Sequence, residues 1–197
     1  MRLPGARTEG KISLERAIQE RRTVRRFVSR PLSLEQLGQL LWAAQGVTGS
    51  LGRKRAAPSA GALYPMTVYA AAGGVRKLNG GVYRYSPGGH GLEAALEGDV
   101  RQTVARACLA QMWVAEAPVV LVITAEYDRI TGKYGRRGVQ YAVIESGHIG
   151  QNIFLQAVAL GLAAGIVGAF RDGDLAKAIG LPAKQTPLLV MPVGYKR

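Results

Sequence analysis

Eighteen consecutive residues, Ile153 to Phe170, hold one strongly polar side chain, Gln156, and no other segment limits the architecture so much. An apolar run of this length lies near the lower limit for a membrane span. Gly161 and Gly165 interrupt it, and Ile166-Val167 opens a β-branched stretch. These breakers predict the end of a buried helix followed by a buried strand, with no membrane partner. Such a helix needs a core to receive it. A chain of 197 residues supplies one sizeable core and falls short of two, so residues 1–197 are expected to form a single domain.

The apolar helix extends back to about Arg137 through Val139, Val143, Ile144 and Ile149. Upstream, Ser13 caps a predicted helix reaching Glu20. Ser33 and Gln36 form a capping box ahead of Leu34, Leu37, Leu40, Leu41 and Ala44, with Gly46 as the stop. Met66 to Ala72 and Gly81 to Ser86 read as strands, and Asp99 begins a helix to about Ala110. Pro118 to Ala125 is a buried strand followed by a polar loop through Gly132. Ala164 to Phe170 is a strand, Asp174 to Ile179 a short helix, and Leu188 to Val193 the last strand. Helices and strands interleave, but the early hairpin argues against a purely parallel arrangement. The expected class is α/β or α+β, a central mixed sheet flanked by helices.

Charge narrows the function. Lys and Arg number 26 against 13 Asp and Glu, a formal net charge of +13. Such a surface attracts nucleic acid, acidic membranes or phosphorylated cofactors, although a solvated surface tuned for solubility explains it equally. No zinc-finger spacing, RNA-recognition aromatic motif or lysine-rich tail accompanies it. The charge gathers at Arg21 to Arg26, Arg53 to Arg55 and Lys133 to Arg137, as if around sites. Cys108 is the only cysteine, so no intrachain disulfide is possible, and Met1 to Lys11 lacks the apolar core of a signal peptide. A cytoplasmic location follows as an expectation. The two histidines, His90 and His148, have no metal-ligand spacing, and neither a Gly-x-Ser-x-Gly elbow nor a Gly-x-Gly-x-x-Gly dinucleotide fingerprint is present.

Four segments can carry chemistry. Arg21-Arg22-Thr23-Val24-Arg25-Arg26-Phe27 offers guanidinium forks that match phosphate oxygens, though cations at a helix C-terminus also complement its dipole. Pro58-Ser59-Ala60-Gly61-Ala62-Leu63-Tyr64-Pro65 lets a flat ring approach backbone, or is simply a turn entering the Met66 strand. Gly165-Ile166-Val167-Gly168 presents small residues and backbone N–H groups, or is a packed strand. Lys133-Tyr134-Gly135-Arg136-Arg137, followed by Tyr141, can shuttle a proton if neighbouring charge favours a tyrosinate; a basic loop ahead of a helix is the plainer account.

In this order the segments resemble the nitroreductase superfamily. Arg21 to Phe27 resembles its Arg-Arg-Ser-x-Arg-x-Phe signature, with Thr23 in the serine position. Pro58 to Gly61 resembles its Pro-Ser-Ala-Gly loop, and Gly165 to Gly168 the strand beside the flavin. The chain is most similar to the SagB-type branch, related to thiazole- and oxazole-forming peptide dehydrogenases, through Pro58 to Pro65, Lys133-Tyr134-Gly135-x-Arg137, Glu145-x-Gly147-His148-x-x-Gln151-Asn152 and Pro192-Val193-Gly194. The likeness runs from about Ser13 to Gly194.

The resemblance implies an FMN-dependent oxidoreductase. Arg21, Arg22, Thr23 and Arg25 would grip the phosphate and ring edge. Pro58, Ser59, Ala60 and Gly61 would line the flavin, as would Gly165, Ile166, Val167 and Gly168, with the N–H near Val167 facing its N5. Lys133 and Tyr134 inherit a catalytic role. It further implies a homodimer with FMN at the interface, NADH or NADPH as electron donor, and a small nitro compound or quinone as acceptor. A peptide azoline dehydrogenase is the alternative activity. From another class, a non-enzymatic nucleic-acid-binding or flavin-binding protein remains open, although a nucleic-acid partner is not expected. No metal is expected. The chain stops at Arg197, where many members continue into a tail carrying a basic phosphate ligand, a role open to Lys196 or Arg197.

Overall fold

The computed structural model describes residues 1–49 and 54–197. Arg53, part of the second basic cluster, therefore lies outside the described residues. Six strands form one sheet in the order β3-β2-β1-β4-β6-β5: β1 Met66–Ala72, β2 Gly81–Ser86, β3 Gly91–Glu97, β4 Val119–Ala125, β5 Ala163–Ala164 and β6 Thr186–Gly194. The helices are α1 Leu14–Glu20, α2 Leu34–Gln45, α3 Arg101–Ala107, α4 Asp128–Tyr134, α5 Arg137–Ala159 and α6 Asp172–Ala178. The class is α+β.

Period-two alternation builds a core on each face. Met66, Val68, Ala70 and Ala72 of β1 join Val119, Leu121, Ile123 and Ala125 of β4, and Met191 and Val193 of β6, under α2 and α5. Tyr69, Ala71, Val120, Val122 and Val190 face the other way, against α3 and α6. Burial on both faces is why β4 is apolar throughout rather than alternating.

The sheet expected to be mixed is antiparallel in all its strand pairings. Parallel bonding is confined to isolated bridges, Thr23 with Ala164 and Leu32 with Val75. The chain path explains it. Between β4 and β6, α5 carries the chain the length of the sheet. The segment through Ala164 and Val167 then brings it back, pairing with Val193 and Val190. Two intervening traverses, an even number, leave β6 antiparallel to β4, with Ala125 opposite Thr186.

Several boundaries hold and others shift. Ser33 and Gln36 form the expected reciprocal capping box, and the Ser13 side chain accepts from the Arg16 N–H. Asp99 accepts from the Arg101 N–H at 3.1 Å, but α3 ends at Ala107, before Leu109 and Ala110 turn left-handed. The strand expected over 164–170 shrinks to Ala163–Ala164 plus a bridge at Val167, because Gly168 and Ala169 are exposed with no neighbour to pair. β3, absent from the sequence reading, is an exposed edge strand of good helix formers held by β2. The polar loop expected through Gly132 is α4, anchored by buried Ile130.

The apolar run 153–170 splits as its glycines imply. The end of α5 gives way at Gly161, φ +69°, to β5. Among the described residues no helix is long and apolar enough to cross a membrane.

Candidate functional site

The four chemical segments meet in two pairs. In the first, the stretch after α1 runs beside β5. Arg21 ends α1, its N–H bonded to the Ala17 carbonyl. Thr23 bridges Ala164, and the Val24 N–H donates to the Ala164 carbonyl at 2.9 Å. Gly165 is obligatory here, since a Cβ would lie 2.7 Å from the Val24 carbonyl oxygen and 2.6 Å from the Trp113 ring. Arg21 stacks over Phe154 of α5 at 5.2 Å, and Arg25 over Trp113 at 5.9 Å. Arg22 spends one guanidinium nitrogen on the Gln19 and Arg21 carbonyls, both at 2.8 Å, so it serves the C-terminus of α1. Among the described residues none of Arg21, Arg22 and Arg25 pairs with a carboxylate. The C-terminus joins the same group: the Val28 N–H donates to the Tyr195 carbonyl at 3.0 Å, and Phe27 bridges Lys196.

One N–H differs from its expected role. Val167 donates to the Val190 carbonyl at 2.8 Å, and Gly165 to that of Pro192, also at 2.8 Å. Strand alternation turns the N–H groups of Ile166 and Gly168 the other way. Neither has a protein acceptor among the described residues.

The second pair lies around the start of α5. Pro58 and Ser59 lead into a 3-10 turn, Ala60–Ala62, in which Gly61 adopts φ 61° and ψ 17°. Ala62 and Tyr64 are left-handed as well, at φ 53° and 48°. The Ser59 hydroxyl holds this unusual loop, accepting from the Tyr64 N–H at 2.9 Å. A Cβ on Gly61 would lie 2.7 Å from the Tyr134 hydroxyl and 3.1 Å from Lys133 Nζ. Lys133 and Tyr134 form the last turn of α4, and Gly135 ends it in a conformation, φ 53° and ψ −146°, suited to glycine. The Tyr134 ring meets Tyr141 edge-on at 5.2 Å, and Arg137 lies over Tyr141 at 5.6 Å.

Sequence reasoning gave no role to the group behind this loop. Glu145 of α5 is 2% exposed. Its Oε1 accepts from Gln45 Nε2 at 3.3 Å, and Arg55 donates to Gln45 Oε1 at 2.9 Å. Arg55 also stacks on Tyr64 at 4.4 Å. Among the described residues Glu145 Oε2 has no hydrogen-bond partner. Burial raises the Glu145 carboxyl pKa, against the opposing pull of the Ser59 and Gln45 side chains and of Arg55 and Arg129. The glutamate stood inside a recognised motif, but nothing in its type or spacing reveals that it is buried.

A groove of about 810 Å³ runs between the N-terminal arm, α2 and α5, lined by Ala17, Trp42, Ala43 and Asn152 among others. It includes none of the residues of the four segments.

A sheet with helices on both faces, basic residues beside a glycine-bearing strand, and a Lys-Tyr pair under a glycine loop define a nitroreductase-type fold. The nitroreductase family model matches residues 18–195, and the chain belongs to that family. A Methanocaldococcus jannaschii protein, provisionally named a nitroreductase, is 44% identical over 94% of this chain and 92% of its own. A crystal structure of another provisionally named nitroreductase, from Ralstonia eutropha, superposes with a TM-score of 0.86 at 31% identity, covering 99% of this chain and 88% of that one. The Escherichia coli microcin synthetase complex, with a truncated pro-microcin bound, contains a chain matching at a TM-score of 0.78 and 25% identity, covering 98% of this chain and 76% of that one.

Proposed function

We propose that this chain is an FMN-dependent oxidoreductase passing hydride equivalents from NADH or NADPH to a small organic acceptor such as a nitro compound or quinone. The observation that carries this reading is the pairing of Thr23 with Ala164. It sets guanidinium groups without carboxylate partners beside a strand whose Ile166 and Gly168 N–H groups have no protein acceptor among the described residues. These donors fit a phosphorylated, planar cofactor: guanidinium forks suit the phosphate, and strand N–H groups suit a ring edge. Arg21, Thr23 and Arg25 are the proposed phosphate grip, with Arg22 contributing field while it caps α1. Ile166 and Gly168 replace Val167 as the proposed backbone donors. Pro58, Ser59, Ala60 and Gly61 are the proposed second wall. When bound, FMN supplies the two-electron chemistry at N5. Fixed positive charge around it favours its reduced, anionic form.

Each flavin is proposed to lie between two copies of the chain. Leu14 and Ile18 of α1 are 61% and 53% exposed, and Val143 and Ile144 of the adjacent α5 are 50% and 49% exposed. Apolar side chains left exposed on two packed helices call for a covering surface. A cytoplasmic homodimer, needing neither membrane nor nucleic acid, is the simplest assembly with that property.

A second reading, azoline dehydrogenation of a peptide, is favoured by the microcin synthetase match and by Lys133 and Tyr134 lying against Gly61. In it Tyr134 Oη or Lys133 Nζ takes a proton from the peptide ring. The protein is tested by incubating it with FMN, desalting, and recording the visible spectrum. A retained flavin band, lost in Arg21→Ala/Arg25→Ala, supports the proposal; a folded, colourless protein refutes it. Turnover with NAD(P)H and a quinone, against turnover of an azoline peptide, separates the two activities.

A further inference from the structure

Among the polar side chains of α5 that the proposed chemistry leaves unused are Glu145 and Asn152. They are seven residues apart, two helical turns, and so share one face. Asn152 Nδ2 donates to the Ala43 carbonyl at 3.0 Å and the Ala56 carbonyl at 3.3 Å, tying the end of α2 to the far side of the following loop. Glu145 works further along the same chain stretch. It takes a hydrogen bond from Gln45, whose side-chain carbonyl accepts in turn from Arg55. Ser59 holds the Tyr64 N–H, and Arg55 covers the Tyr64 ring.

We propose that Glu145 is a positioning residue, which through the Gln45–Arg55 pair and the stack of Arg55 on Tyr64 holds the 59–64 loop in its left-handed form and so sets where Gly61 confines Lys133 and Tyr134. The loop requires such a clamp. Gly61, Ala62 and Tyr64 all have positive φ, and for the two non-glycine residues that conformation costs on the order of 1–2 kcal/mol each. Strained backbone persists only where its surroundings over-determine it. A buried carboxyl group that fixes Gln45, and through it the Arg55 guanidinium lying on the Tyr64 ring, does this, whereas a side chain serving only to fill the core would not be polar. The significance of Lys133 and Tyr134 rests on the function proposed above. The clamp itself does not.

The test is amide hydrogen exchange on the full-length protein without added cofactor, comparing wild type with Glu145→Met and Glu145→Gln. Methionine keeps the volume and removes the polar atoms, whereas glutamine keeps an acceptor for Gln45. Glu145→Met is expected to stay folded while the Tyr64 amide exchanges up to about tenfold faster, as for loss of one hydrogen bond. Glu145→Gln is expected to keep Tyr64 protected. Wild-type protection of Tyr64 in Glu145→Met overturns the proposal. So does a loss of protection spread evenly over the sheet, which would make Glu145 a general stabiliser. Failure to retain FMN would instead sink the functional reading and leave these exchange results standing.

Discussion

Replacing Gly61 by alanine separates backbone strain from chemistry. Gly61 has φ +61°, and Gly180, at the end of α6, has φ +65° with nothing within 4 Å of a would-be Cβ. Alanine in the left-handed region costs about 1–2 kcal/mol at either position. In a chain of this length that lowers the melting midpoint by roughly 2–8 °C. At Gly61 a second effect is added, because the new methyl would stand 2.7 Å from the Tyr134 hydroxyl and 3.1 Å from Lys133 Nζ. Both are ends of flexible side chains, so the fold survives and the side chains move. A displacement approaching 1 Å at reacting groups costs on the order of a hundredfold in rate. The assay is thermal melting of both variants together with turnover on the active substrate class found above. Gly61→Ala is expected to match Gly180→Ala in stability and to lose one to two orders of magnitude more in kcat. Equal turnover in the two variants would refute the placement of Lys133 and Tyr134 in the chemistry.

Gly165→Ala has no such flexible neighbour, since the Val24 carbonyl and the Trp113 ring close the space. Overpacking of this kind costs about 1–3 kcal/mol, and thermal melting should show the loss before any effect on substrate can be read. Cys108 is fully buried and its thiol is pushed up to about 11 by burial. It should resist a disulfide reagent at pH 8 in the native protein and react at once in denaturant; fast native reaction would show that α3 opens. Burial raises the Glu145 pKa, so the folded state holds a proton that the unfolded chain releases, and stability falls as pH rises from the ordinary carboxylate range through the raised value. Relative to Glu145→Gln, denaturant titrations should therefore show wild type losing stability across that window, and parallel pH profiles would contradict the assignment.

How much was legible in advance depended on whether local signals and tertiary packing agreed. α2 was readable because its capping box and its Leu37, Leu40, Leu41 spacing specify the same helix. β1, β2 and β4 are apolar and β-branched where the sheet buries them. β3 was not readable: Leu92, Glu93, Ala94, Ala95, Leu96 and Glu97 favour helix, and only pairing with β2 makes them strand. α4 contains Thr131 and Gly132, poor helix formers, and owes its helical form to packing around Ile130. The site segments were legible by resemblance, yet which of them touch was not. That Thr23 meets Ala164 and Gly61 meets Tyr134 follows from the sheet order, which no local pattern encodes. Which amide near Val167 is left without a strand partner is hidden for a related reason, since alternation chooses between neighbouring amides only once the partner strand is known.

The exposed apolar side chains on α5 make the strongest demand still unmet within one chain. Ala142, Ile149 and Ile153 bury one side of this helix against the sheet, while Val139, Val143 and Ile144 remain exposed on another. A helix apolar on more than one side is normally buried on more than one side. If these residues faced water, Val143→Asp/Ile144→Asp would be close to neutral, within about 0.5 kcal/mol per substitution. If a second copy covers them, a twofold interface places the two new carboxylates on each chain, four in all, in an apolar contact. Desolvating each costs several kcal/mol, which no interface of ordinary affinity tolerates. Light scattering across a dilution series should then show a wild-type dimer and a folded monomeric variant. Loss of FMN with the partner would place the flavin between the chains. A wild type monomeric at all concentrations, or a variant still dimeric, would remove α5 as the interface, and a monomer retaining flavin would place the whole cofactor site within one chain.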